Sequence, residues 1–122
     1  MKARTATLGM AAALTIAFSG EAWAHAHLTV AAPADKSVVK ASPAELDLTF
    51  SEALNIKFSG AKLVAADKSE VKTGEAMLMD GGKVLMIPVP AALAPGAYTV
   101  EWHVLSVDGH KTNGSVSFTV QP

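Results

Sequence analysis

Residues 97–106, "AYTVEWHVLS", decide how the rest of the chain is read. Tyr98, Val100, Trp102 and Val104 fall on one side of the run, and Thr99, Glu101 and His103 on the other. Strict alternation over this length describes a β-strand with one face buried and one face wet. A helix would need its apolar residues three and four apart, and here they are two apart.

The same period recurs on both sides. "ELDLTFS", residues 45–51, places Leu46, Leu48 and Phe50 inward, and "SVSFTV", residues 115–120, does so with Val116, Phe118 and Val120. "HLTVA" (27–31), "GAKLVAA" (60–66) and "KVLMIPV" (83–89) are further strand candidates, with "EVKTG" (70–74) and "EAMLM" (75–79) weaker ones. Pro33, Ser42-Pro43, Asp80-Gly81-Gly82, Pro95-Gly96, Asp108-Gly109 and Asn113-Gly114 supply the turn signals between them. Short strands with regular punctuation predict an all-β sandwich or barrel. Tyr98, just after the Pro95-Gly96 turn, resembles the tyrosine corner of Greek-key, immunoglobulin-like sandwiches.

The first residues follow a different rule. Lys2 and Arg4 form a positive start, Leu8 to Phe18 a short apolar run, and Ala22-Trp23-Ala24 a small-x-small end. That is the pattern of a cleaved secretory signal, so residues 1–24 are expected to be removed and residues 25–122 to form the working domain. A membrane anchor is disfavoured, because the apolar run falls short of the ~20 residues that span a bilayer. Export of this kind predicts a working domain outside the cytoplasm.

Composition narrows the chemistry. With Lys2, Arg4 and Glu21 set aside, eight basic and ten acidic residues remain, and no arginine is among them. Nucleic-acid binding normally needs a basic face rich in arginine, so that class is excluded. There is no cysteine, hence no disulfide, thiolate metal site or cysteine nucleophile. No G-x-S-x-G, H-E-x-x-H or P-loop motif occurs.

What remains is a set of candidate metal ligands. Cleavage after Ala24 makes His25 the first residue, joining a free amine of ordinary pKa about 8 to an imidazole. Asp108 and His110 stand two apart, so in extended backbone both face the same way. Gly109 between them also allows a sharp turn, and the same stretch describes an ordinary Asp-Gly turn with an exposed histidine. Taken together, His25, Asp108 and His110 offer three nitrogens and one oxygen, a set that suits tetragonal Cu(II). Zn(II) is the competitor and generally prefers tetrahedral sites.

Other residues have weaker claims. His27 offers a rival chelate, in which the amine, two backbone amides and the third-residue imidazole wrap the ion without any fold. Glu52, just after a strand, reads alone as surface charge but could reach the same end of the domain. His103 is expected on an outward face. Met77, Met79 and Met86 suggest a soft Cu(I) site, yet Met77 and Met79 alternate around Leu78 and Met86 lies in an apolar strand, so core packing is the expectation.

"HAHL", "AAPAD", "LTFSEAL", "FSGAKLV", "LAPGAYTVEWHVLSVDGHKTNG" and "SVSFTV" occur in an order and spacing that resembles the CopC family of periplasmic copper-binding proteins, in particular its YobA-like branch. The resemblance covers the whole of residues 25–122. It implies a Greek-key β-sandwich or barrel of about seven strands that binds Cu(II). The family's amino-terminal histidine falls on His25, its D-x-H motif on Asp108 and His110, and an acidic residue near copper in some members on Glu52. His27 matches the second histidine of "HAHL" members. Some members carry a methionine-rich Cu(I) loop after the segment matching "FSGAKLV". Here "AADKSEVKTGEAMLM" is short and lacks a dense methionine cluster. That departure speaks against a two-site scheme with Cu(I) and Cu(II) at opposite ends, and the expectation is one Cu(II) ion.

Three functions follow as expectations. A monomeric protein that buffers copper, confers resistance or hands copper over leads, with a CopD-type inner-membrane protein as the partner implied by the family. The second is a histidine-brace copper oxidase or monooxygenase, disfavoured because Asp108 would fill the position such chemistry needs open. The third is an immunoglobulin-like interaction module without metal.

Overall fold

The computed structural model describes residues 26–122. The expected leader and His25 lie outside the described residues. Nine strands and one short 3-10 turn make two packed sheets: β1 (Leu28–Ala32), β2 (Ser37–Val39), β3 (Glu45–Phe50), the 3-10 turn (Ile56–Phe58), β4 (Gly60–Ala65), β5 (Glu70–Val71), β6 (Met77–Met79), β7 (Val84–Pro88), β8 (Gly96–Leu105) and β9 (Lys111–Val120). One sheet has the order β1-β3-β7-β6 and the other β2-β9-β8-β4-β5. The chain changes sheet after β1, β2, β3, β5 and β7, the crossover habit of a Greek-key sandwich. The count exceeds seven because β2, β5 and β6 are pieces of only two or three residues.

The alternation that predicted β8 is realised residue by residue. Tyr98, Val100, Trp102 and Val104 are buried, while Glu101 and His103 are exposed. Leu46, Leu48 and Phe50 of β3 face them from the other sheet, as do Leu85 and Ile87 of β7, and Val116, Phe118 and Val120 of β9 complete the core. Phe50 meets Trp102 edge-on across the two sheets, with ring centroids 5.1 Å apart. The Tyr98 hydroxyl donates to the Ala94 carbonyl at 2.6 Å, which is the expected corner.

Three expectations change. Asn113-Gly114 is not a turn but part of β9, opposite His103 and Trp102. Gly114 is there to make room: a Cβ on it would lie 2.6 Å from Cζ2 of Trp102, closer than atoms pack. β2 was not anticipated, since three residues paired in parallel with the end of β9 carry too little pattern to read. Met77 and Met79 are not core residues: Leu78 turns inward, and strand geometry then sends both methionines outward, each 45 % exposed.

Candidate metal centre

The β8–β9 hairpin closes through the three residues Val107, Asp108 and Gly109. The Gly109 N–H donates to the Ser106 carbonyl at 2.9 Å, and the Ser106 N–H donates to the His110 carbonyl at 2.9 Å. Gly109 has φ +96°, a conformation in which any side chain is strained. A turn followed by one positive-φ glycine is a standard three-residue hairpin loop. This tight turn, rather than extended backbone, brings Asp108 and His110 together.

The two side chains touch. His110 Nδ1 lies 3.2 Å from Asp108 Oδ1, and each side chain is 42 % exposed. For metal–ligand bonds of ~2.0–2.1 Å, neighbouring ligands stand roughly 2.9 Å apart at a right angle and roughly 3.3 Å apart at a tetrahedral angle. The observed spacing falls in that interval, so one ion can replace the contact with little movement. Half exposure leaves the pair open to ions from solvent.

Ser106 holds the arrangement from below, and sequence reasoning missed it. It is 1 % exposed, and it is the one buried polar residue among those described. Its hydroxyl donates to Asp108 Oδ1 and accepts from the His110 N–H at 3.2 Å. The signal was the spacing S-x-D-x-H, a hydroxyl two residues before the carboxylate, which is a common way to build a local turn. The Ser106 hydroxyl first, and the His110 ring second, hold the Asp108 carboxyl below its ordinary pKa. Asp108 is therefore an ionised, acceptor-only group even in mildly acidic solution.

The loop is stitched to the segment after β3. Leu54 and Ser106 form a bridge, the Val107 N–H donates to the Ala53 carbonyl at 3.0 Å, and the Asn55 N–H to that of Leu105 at 2.8 Å. Glu52, next to Ala53 and half-buried, thus lies on a segment adjoining the loop. The start of β1 reaches the same place. Ala26 is 1 % exposed, and its carbonyl accepts from the Thr112 hydroxyl at 3.0 Å, two residues past His110. The His27 N–H donates to the Ser51 hydroxyl at 2.9 Å and its carbonyl accepts from the Ser51 N–H at 2.9 Å, while its side chain is exposed. Among the described residues no three histidine or acidic side chains form a group that could hold an ion, so neither His27 nor Glu52 makes such a group with the Asp108–His110 pair there. His103 is on the outward face of β8 as expected, its ring against Gly60 of β4.

A small Greek-key sandwich with a half-exposed nitrogen–oxygen pair on a rigid hairpin loop defines a class of metal-binding β-domain. Residues 28–121 match the family model described as the CopC domain, and the chain belongs to that family. It is 42 % identical over 120 residues to Protein YobA of Escherichia coli (strain K12), covering 98 % of this chain and 97 % of that one. It is 38 % identical over 109 residues to Copper resistance protein C of Pseudomonas syringae pv. tomato, covering 84 % of this chain and 86 % of that one. The crystal structure of CopC from Methylosinus trichosporium OB3b superposes with a TM-score of 0.75 at 34 % identity, over 80 % of this chain and 95 % of that one.

Proposed function

We propose that the chain is a periplasmic copper-binding protein that holds one Cu(II) ion with His25, Asp108 and His110, for buffering, resistance or transfer. In this reading residues 1–24 are removed on export, and residues 25–122 are the working domain. The observation that carries it is the anchoring of Ala26 by Thr112. The described chain therefore begins, at Ala26, beside the strand that starts next to His110. A free His25 would bring an amine and an imidazole to a place where a carboxylate and an imidazole already stand ready. Three nitrogens and one oxygen suit Cu(II), which also leads the divalent first-row ions in affinity for such sets. The copper assignment draws support from Copper resistance protein C, the relative named above.

The rival chelate through His27 is disfavoured by the fold. It would use the amide nitrogens of Ala26 and His27, but the His27 N–H is bonded to Ser51 and Ala26 is buried. Building it means unpicking the start of β1. Binding is proposed over oxidative turnover because Asp108 would occupy the position a histidine-brace enzyme keeps open. A monomer that exchanges copper with a CopD-type membrane protein completes the reading.

Mass spectrometry of the exported protein, before and after one equivalent of Cu(II), tests this together with His110→Ala. The expected result is a chain beginning at His25 that binds one ion, and a variant that loses tight binding. A retained leader, or a variant that binds as before, would overturn it.

A further inference from the structure

The 3-10 turn Ile56–Phe58 is stitched to the end of β8. The Asn55 N–H donates to the Leu105 carbonyl at 2.8 Å, and the Leu105 N–H donates to the Ser59 hydroxyl at 3.1 Å. Between the turn and the strands lies an open hollow of about 360 Å³, whose walls include Lys57, Phe58, His103, Val104, Lys111 and Asn113. Phe58 is 58 % exposed, the one aromatic among the exposed large hydrophobics of the described residues. Ile56 beside it is exposed, as is Val107 on the loop joined to Ala53. Single exposed apolar residues are ordinary, but an exposed aromatic at a concave surface marks an interaction site.

The charge of this hollow runs against that of the domain. Residues 25–122 carry ten acidic and eight basic side chains, yet the hollow is lined by two lysines and no carboxylate. Lys57 and Lys111 are exposed, and among the described residues neither is in an ion pair. Lys62, further along the same sheet, stands opposite Glu101 and so faces a counter-charge. His103 and Asn113 also line a second hollow of about 480 Å³, so the two form one trough over β8 and β9. Its floor reaches the Trp102 ring, because Gly114 has no side chain to cover Cζ2. A trough of this kind has room for several residues of another chain.

We propose that the hollow between Phe58 and β8–β9 is a docking site for a protein segment that carries acidic side chains around one bulky apolar side chain. The apolar side chain sits against Phe58 and Val104, and the carboxylates meet Lys57 and Lys111. An apolar anchor in a concave site supplies most of the affinity in such contacts, while complementary charge speeds encounter and fixes register. The site borders the hairpin loop but uses neither Asp108 nor His110, so it does not rest on the Cu(II) reading. A partner seated there stands beside the loop without covering it.

The probe is a synthetic peptide with glutamates on both sides of a central phenylalanine, and its control has lysines in place of the glutamates. Each is titrated into the ¹⁵N-labelled exported protein. With the acidic peptide, the amide signals of Lys57, Phe58, His103, Lys111 and Asn113 should move and saturate, less strongly as salt is raised. The lysine peptide should leave them in place. Phe58→Ala, an exposed change, should keep the remaining spectrum and weaken binding by roughly tenfold or more, the scale of a lost anchor. The double variant Lys57→Gln, Lys111→Gln should lose the preference for the acidic peptide. Stationary signals, an equal response to the lysine peptide, or full binding by Phe58→Ala would overturn the proposal. So would the same signals moving with protein concentration alone, which points to a second copy, or only with phosphatidylglycerol vesicles, which points to a membrane.

Discussion

The hairpin loop at residues 106–110 and the outer face of β6 and β7 lie at the same end of the sandwich, yet they are built on opposite plans. In the loop, backbone and hydroxyl hydrogen bonds hold Asp108 and His110 against each other. On the sheet, the register puts Met77, Met79 and Met86 on an outward face, with flexible side chains and no such hydrogen-bonded support. Rigid placement suits an ion that demands a definite geometry. The difference also has a sensitivity attached: the loop should respond to small changes in its support, and the sheet face should not.

The largest effect expected is on the loop. His110→Ala removes the proposed nitrogen ligand and should abolish tight Cu(II) binding, measured by competition titration. Next comes Ser106→Ala, which touches no ion directly. Partners behind a metal ligand are worth roughly 10–100-fold in affinity, and a weakening of that order is expected with stability largely kept. If Cu(II) affinity were unchanged, the contrast between a supported loop and an unsupported sheet face would fail.

Smaller effects sharpen the same contrast. Gly109→Ala forces a side chain into positive φ and should cost on the order of 1–2 kcal/mol in urea unfolding. The Asp108 carboxyl should titrate below ordinary aspartate in the metal-free protein, followed by NMR, and should move upward in Ser106→Ala. Its folded pKa is depressed, so its contribution to the loop is present above the ordinary aspartate value and is lost as pH falls through the lowered one. Met77→Leu, by contrast, is an apolar exchange on an exposed face and should change stability by no more than about 0.5 kcal/mol.

These two regions were also legible in the sequence to different degrees. The alternation in β8 was long enough to set the sandwich and to assign every residue from Tyr98 to Val104 to its correct side. The two-residue spacing of Asp108 and His110 marked them as candidates, but through extended backbone, whereas a tight turn is what brings them together. Ser106 was not marked, because a single serine carries no sign that it will be buried beneath its neighbours. Asn113-Gly114 looked like a turn because local sequence cannot show that the Trp102 ring, on the next strand, needs the space a side chain would fill. The methionines were misjudged for the same kind of reason. "AMLM" is equally apolar on both faces, so only pairing with β7 decides that Leu78 turns in and the methionines out.

The central claim is that processing completes the copper site by freeing the His25 amine. The most direct measurement compares Cu(II) EPR spectra and affinity for protein beginning at His25 and for protein with one added residue before it. The added residue turns the amine into an amide and leaves the folded residues untouched. The account predicts a marked loss of affinity and a spectrum with fewer nitrogen ligands for the extended protein. Identical spectra and affinity for the two would contradict it.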